Sequence, residues 1–207
     1  TELSQNEIRE WMTKKVNATH NSFSSLVAYY RFDDNSGTIL QDLTGGNDGT
    51  LTNMDPATDW VSSGAAIGDE STNTYGGASL STTLSNGNNV SVSNFQGSPE
   101  GIHLYVVKDT AQGSTFPNSF SNLDSTEYVG VFMAGGSSYD VSIDYSNNAD
   151  INGVSKESQV RAINRDFGND ISWEVATGEI RTNVSSNTIS IPNESGAEYI
   201  TGFSNSS

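Results

Sequence analysis

The chain has 207 residues, with 25 acidic against 9 basic side chains, a formal net charge of −16 and no cysteine. An acidic chain of this kind is repelled by nucleic acids and anionic lipids, whose binding needs clustered lysine and arginine. The absence of cysteine excludes disulfides, thiolate zinc sites and thiol catalysis. No run of about 20 apolar residues is present, so the sequence predicts no membrane span.

The first residues predict an amphipathic helix. Ser4 and Glu7 form a capping box, in which the serine hydroxyl accepts from the glutamate amide and the carboxylate accepts from the serine amide. Lysines 14 and 15 suit the negative end of the helix dipole. Apolar side chains recur at helical spacing, as expected of a helix that packs on a neighbouring sheet. They are Ile8, Trp11, Met12 and Val16.

The stretch Leu26–Leu51 carries the most specific pattern in the chain. Residues 28–32 alternate between two faces and predict a half-buried strand. Asp33–Gly37 is a turn, Thr38–Leu40 a short strand, and Asp42–Gly49 a second, glycine-rich turn that leads into a third strand.

These residues resemble the opening of LamG-like domains, the concanavalin A-like jelly rolls of bacterial surface proteins. The matching residues are Tyr30, Phe32, Asp33, Ser36, Gly37, Thr38, Asp42, Gly46, Asn47, Asp48, Gly49 and Thr50. The N-terminal pattern resembles the segment that closes such a domain, through Leu3, Ser4, Glu7, Ile8 and Trp11. The resemblance covers about residues 3–60. It implies three segments: 1–22, the helical tail of an upstream LamG-like domain; 23–74, a partial LamG-like β connector; and 75–207, a separate domain.

The same resemblance implies a structural calcium ion, because this region often holds one within the family. The residues that inherit the possibility are Asp33, Asp42, Asn47 and Asp48. Carboxylate, amide and carbonyl oxygens are the ligands that calcium takes. The alternative is that the Asp and Asn side chains only shape the turns.

Residues 78–203 predict eight or nine short strands separated by turns, which is typical of an antiparallel β-sandwich. The pair Asn86-Gly87 between alternating segments is a strong hairpin signal. The alternation also predicts the residues of one core. They are Leu104, Val106, Val129, Val131, Phe132, Val141, Ile143, Trp173, Ile189 and Tyr199. The fold class is therefore all-β, an antiparallel sandwich preceded by a short helix and a LamG-like β connector.

No catalytic pattern accompanies these elements. The two histidines are not in a zinc motif, and the carboxylate run of laminarinase-type jelly rolls is absent. A loose calcium-loop pattern at 148–153 is better explained as a glycine-bearing turn. Aromatic rings can form a platform for sugars, and the predicted ligand-binding residues are Tyr29, Trp60 and Tyr105.

These features predict a non-catalytic adhesion or glycan-binding module of a large bacterial surface protein, located outside the cell and stiffened by calcium. Its partners would be glycans or cell-surface polymers, and it would be a monomeric fragment of a longer chain. Three alternatives remain open at this point. One is an accessory module of a secreted polysaccharide-degrading enzyme, and another is a structural spacer that binds nothing. The third is a hydrolase, which would need two carboxylates lining one cleft.

Overall fold

Two antiparallel β-sheets contain most of the strands in the computed structural model, which describes residues 2–111, 115–117, 120–121, 126–147, 159–166, 172–178, 180–183, 186–195 and 197–204. In chain order the elements are α1 (Gln5–Trp11), a 3-10 helix (Phe23–Ser25), β1 (Ile39–Leu40), β2 (Gly49–Thr50), β3 (Glu70–Thr74), β4 (Leu80–Thr83), β5 (Asn89–Gln96), β6 (Gly101–Val107), β7 (Phe120–Ser121), β8 (Tyr128–Ala134), β9 (Ser138–Asp144), β10 (Val160–Arg165), β11 (Glu174–Val175), β12 (Ile180–Asn183), β13 (Thr188–Glu194) and β14 (Ala197–Ser204).

The chain divides into two compact units. The first contains Thr1–Lys14 and Gly64–Ser207, and the second contains Lys15–Ser63. The units divide after residues 14 and 63, whereas the predicted boundaries are at 22/23 and 74/75. The LamG-like assignment of the first two segments stays a prediction.

The first unit is an antiparallel β-sandwich, which confirms the predicted fold class. One sheet has the strand order β11-β10-β14-β8-β6-β3, with β7 paired to the end of β14. The other has the order β12-β13-β9-β5-β4. The Asn86-Gly87 pair lies in the predicted turn between β4 and β5, and Gly87 has the positive φ, 86°, that such a turn requires.

The core between the two sheets follows the predicted alternation. Eight of the predicted core residues are buried there: Leu104, Val106, Val129, Val131, Val141, Ile143, Ile189 and Tyr199. Phe132 and Trp173 instead belong to a second apolar layer on the outer face of the larger sheet, around Tyr105, Tyr128 and Ile163. Strand β6 is consequently buried on both faces along its whole length.

Helix α1 has the predicted capping box. The Ser4 amide donates to Glu7 Oε2 at 2.8 Å, and the Glu7 amide donates to Ser4 Oγ at 3.2 Å. The predicted apolar stripe is not buried, since Ile8 remains 51% exposed and the helix buries none of its residues. The helix contacts β3, and the Asn73 side chain donates to the Arg9 carbonyl oxygen at 3.2 Å.

The second unit contains the predicted short strands as the antiparallel pair β1 and β2. The strand predicted over residues 28–32 does not form. Phe32 has a left-handed backbone, with φ 58°, which interrupts an extended strand. In the first unit, β3 is a strand within a stretch predicted to be a connector. The predicted turn at 148–153 lies outside the described residues.

Candidate functional site

A groove lies in the second unit where the chain turns three times within six residues. Phe32, Asn35 and Gly37 all have left-handed backbone conformations, with φ of 58°, 58° and 75°. Glycine adopts this region freely and asparagine tolerates it, whereas a bulky aromatic residue there is strained. The turns bring side chains from both ends of residues 31–41 to one surface.

The groove is open and has a volume of about 450 Å³. Its lining supplies carboxylate, guanidinium, hydroxyl and amide groups, from Arg31, Asp33, Asp34, Ser36, Gly37, Thr38, Ile39 and Gln41. Arg31 Nε lies 3.1 Å from Asp33 Oδ2, and both side chains are partly exposed. The Asp34 carboxylate makes no hydrogen bond or ion pair with the described residues, so its oxygens can accept hydrogen bonds from a ligand.

Two aromatic residues adjoin the groove lining, one through a hydrogen bond and the other in the chain, although neither lines the groove. The Trp60 indole N–H donates to the carbonyl oxygen of Gly37, a lining residue, at 3.1 Å, and this bond holds the ring beside it. Phe32 lies in the chain between two lining residues, and its side chain is 63% exposed. An exposed aromatic ring on a strained backbone is unfavourable for folding alone, which makes Phe32 a functional candidate.

Asp42 organises the neighbouring glycine-rich turn. Its Oδ1 accepts from the amides of Tyr29 and Thr44 at 2.8 and 3.0 Å, and its Oδ2 accepts from the amides of Gly46 and Asn47 at 3.2 and 3.0 Å. The Thr44 hydroxyl donates to the same carboxylate. The Asp42 amide in turn donates to Asp48 Oδ1 at 2.9 Å. One buried carboxylate therefore ties residues 29, 44, 46 and 47 together.

These bonds also fix the charge of Asp42. Burial by itself would raise the pKa of this carboxyl, but the hydrogen bonds from the Tyr29 amide and from the Thr44 hydroxyl and amide outweigh it. The pKa of Asp42 is consequently held well below its usual value of 3.8. Asp42 is an anion at every pH of physiological interest.

Three of the four residues predicted to bind calcium meet in this turn, but their donor set does not fit the ion. The oxygens of Asp42 already accept from N–H and O–H groups, whose positive ends would face a cation. The Asn47 side-chain amide donates to the Val27 carbonyl oxygen, and Tyr30 donates to the Asn47 carbonyl oxygen. Asp33 lies in the groove, paired with Arg31. Among the described residues, no three acidic or histidine side chains cluster in a way that could hold a metal.

The three predicted ligand-binding aromatics lie in different surroundings. Trp60 lies beside the groove, whereas the half-buried Tyr29 has its hydroxyl accepting from the Val16 amide at 3.0 Å. Tyr105 is fully buried, so the prediction that it contacts a ligand is corrected. Its ring packs in the outer apolar layer, and its hydroxyl donates to Glu198 Oε1 at 3.0 Å.

Sequence reasoning did not single out Phe32 or Asp34 for the groove. Phe32 was expected in a strand, and only its position directly before Asp33-Asp34-Asn35 signals that the chain already turns there. A second polar cluster was also missed, because its parts are distant in the chain. Arg165 and Glu198 form a buried ion pair at 2.7 Å, under the rings of Tyr128 and Trp173.

In the part of the chain that the structure describes, no helix is long and apolar enough to cross a membrane. Neither protein-family models, curated proteins nor solved structures match this chain. The residues and their geometry therefore carry the functional argument.

Proposed function

We propose that the chain is a non-catalytic adhesion module of a large extracellular bacterial surface protein, and that it binds glycans through the groove of residues 31–41. The observation that carries the proposal is the composition of this open groove, about 450 Å³ in volume and lined by an ion pair, a free carboxylate, hydroxyls and an amide. Sugar hydroxyls donate and accept at the same time, so they match a surface that offers both kinds of group.

The aromatic residues that adjoin the groove lining support the same ligand class. Sugar rings present C–H groups on one face, which pack on flat aromatic rings, while their hydroxyls reach polar groups at the ring edge. Phe32 lies in the chain between two lining residues and has an exposed ring, and the Trp60 indole donates a hydrogen bond to the Gly37 carbonyl oxygen. An exposed ring and a ring bonded to the groove lining are features that suit a glycan.

Calcium is not needed for this binding. The resemblance predicts the ion at Asp33, Asp42, Asn47 and Asp48, but hydrogen bonds from the chain itself already hold the turn that contains the last three. Binding through the groove should therefore persist when divalent cations are removed. This separates the proposed site from a lectin in which calcium contacts the sugar.

The experiment is a glycan array probed with the purified chain, in parallel with calcium and with EDTA. Binding to a defined glycan class in both arms is the expected result. Asp34→Asn removes a groove charge and should weaken binding about tenfold, the effect of losing a hydrogen bond to a charged group. Phe32→Ala should weaken it several-fold.

Two control variants distinguish a loss of groove contacts from the general effect of removing a charge or an apolar side chain. Glu10→Gln removes a charge from the exposed face of α1, and Val61→Ala truncates an exposed apolar side chain outside the groove lining. Both should bind as the unchanged chain does. If no glycan binds in either arm, the chain is a spacer and the proposal fails. If the chain binds glycans and its full-length protein also carries a polysaccharide-degrading domain, the chain is an accessory module of that enzyme instead.

A further inference from the structure

A buried histidine lies between helix α1 and the larger sheet of the first unit. His103, on the outer face of β6, is 1% exposed. Its Nδ1 lies 3.0 Å from Thr13 Oγ1, and its Nε2 lies 2.9 Å from the Tyr75 hydroxyl. Thr13 Oγ1 lies a further 2.7 Å from Ser71 Oγ. We call these four side chains the His103 cluster, and they join the N-terminal segment to β3, to the turn after β3 and to β6.

The rest of the contact between this segment and the sheet is slight. The apolar side chains of the segment point mainly to solvent, with Leu3, Ile8 and Met12 all at least 40% exposed. The Gly68 amide donates to the Thr13 carbonyl oxygen at 2.9 Å, and the Arg9 guanidinium lies over the Tyr75 ring at 3.8 Å. Most of the docking is therefore polar and passes through, or next to, the His103 cluster.

In the part of the chain that the structure describes, no carboxylate compensates a charge on this ring. The side chains that face it are Thr13 from the segment, Tyr75 from the turn after β3 and Phe132 from β8. The charged group on the Tyr75 side is Arg9, which would repel an imidazolium. The Glu70 carboxylate, at the far end of β3, is engaged with Lys108.

The remaining charged groups of the segment are engaged elsewhere or exposed. Glu7 caps the start of α1, Glu10 is exposed, and the Lys14 ammonium lies over the Trp11 ring. Burial without an acidic partner lowers the pKa of His103 from its ordinary 6.5. The docked segment therefore prefers the neutral ring.

We infer that the His103 cluster is a proton-sensitive contact, which holds residues 4–14 on the outer face of the sheet at neutral pH and releases them in acid. When the segment leaves, water reaches the ring and the imidazolium becomes favourable. Because the undocked state binds the proton more tightly, docking is fully stable above pH 6.5 and weakens as the pH falls below that value. The sandwich core lies on the opposite face of the sheet and does not take part.

The test is hydrogen exchange of the intact chain, followed by mass spectrometry and expressed as protection factors, which remove the intrinsic pH dependence of exchange. Protection of peptides within residues 2–14 should fall between pH 7.5 and pH 5.0, by up to about 30-fold, the limit set by an ordinary histidine. Protection of β8 and β9 should stay constant. An unchanged protection of residues 2–14 overturns the inference.

Variants test whether the pH dependence of protection comes from the His103 ring. His103→Gln keeps polar ends but cannot titrate, so protection should no longer depend on pH; His20→Gln, in the second unit, should behave as the unchanged chain. Thr13→Val should lower protection already at pH 7.5, and Thr83→Val, exposed on β4, should not. If His103→Gln does not fold, NMR titration of the two histidines in the unchanged chain decides. A pKa of His103 at or above 6.5 contradicts the inference.

Discussion

Phe32 combines a left-handed backbone with a 63% exposed aromatic ring, and neither property stabilises the fold. Glycine at this position would relieve the backbone strain and remove the ring at once. Phe32→Gly should therefore leave the second unit as stable or make it about 1 kcal/mol more stable, while binding on the glycan array weakens several-fold. Hydrogen exchange of residues 26–51 measures the first effect. A clear loss of protection would mean that the ring packs and that its exposure is not functional.

Asp42 gives a pH prediction in the same direction as that of His103, but at lower pH. Its pKa lies below 3.8 in the folded chain, so its contribution to stability is complete above that pH and is lost as the pH falls through the folded value. At pH 3, where ordinary aspartates have taken up protons, Asp42 should remain ionised. Carboxyl-carbon NMR shifts measure this directly. A change of the Asp42 carboxyl shift between pH 7 and pH 3 would contradict this account.

Gly130 has a steric role that its sequence context does not reveal. It lies directly opposite Tyr105 in the register of β6 and β8, and a Cβ atom at 130 would overlap the Tyr105 ring. Gly130→Ala should cost about 1–3 kcal/mol of unfolding free energy, measured by urea denaturation. Gly76→Ala is the matched control, because nothing lies within 4 Å of its Cβ position. Equal effects from the two changes would contradict this account.

At the scale of elements, one buried ion pair links the paired strands β10 and β14. Arg165 and Glu198 face each other in register, and Arg165 Nε and Nη2 both lie 2.7 Å from Glu198 Oε2. The Tyr105 hydroxyl donates to the other oxygen, so every part of the carboxylate is compensated. Burial and the Glu198 charge raise the pKa of Tyr105, and this phenol stays protonated as a donor.

Removing one partner leaves an uncompensated buried charge. Arg165→Met should therefore destabilise the sandwich by about 3–5 kcal/mol, whereas the double change Arg165→Met with Glu198→Leu should recover most of the loss. Urea denaturation of both single variants and the double variant measures the coupling. Arg161→Met, at a half-buried position of the same strand, should cost much less. If the double variant loses as much unfolding free energy as the two single variants together, the two side chains are not coupled.

For the whole molecule, the two compact units predict independent folding of the sandwich. The first unit is interrupted by residues 15–63, yet Lys14 and Gly68 pair as neighbours in a parallel bridge. Replacing 15–63 by a short Gly-Ser linker should therefore keep a β-type circular dichroism spectrum and one cooperative melting transition. Truncation before residue 197 removes β14 and should abolish that transition. A linker variant that does not melt cooperatively would contradict the division.

The sequence was most informative where alternation and turn chemistry agree. Strand β9 alternates along its whole length, β13 alternates over residues 188–191, and Asn86-Gly87 is a strong hairpin signal, so these elements are predictable from the sequence. It was least informative where a contact from a distant segment decides the outcome. Polar β3 is a strand because it pairs with β6, and Tyr105 is buried because a second apolar layer covers the outer face of its sheet.

The candidate site shows the same contrast. The residues of the glycine-rich turn were predicted to lie together, and Asp42, Asn47 and Asp48 do so. Their chemical role was not predictable from residue type, because aspartate accepts amide donors as readily as it binds a cation. The amide of Tyr29, 13 positions away, decides the matter. Phe32 escaped prediction since its alternation with residues 28 and 30 continues into a backbone that is no longer extended.

The position of β14 has a consequence for synthesis. This strand is the last described element in the chain, yet it lies inside the larger sheet, between β10 and β8. Until residues 197–204 have left the ribosome, the edges of β10 and β8 that face β14 have no strand to pair with, and the larger sheet remains in two halves. Non-local pairing of this kind is slow and comes late in folding. The larger sheet therefore closes only after residues 197–204 have been synthesised.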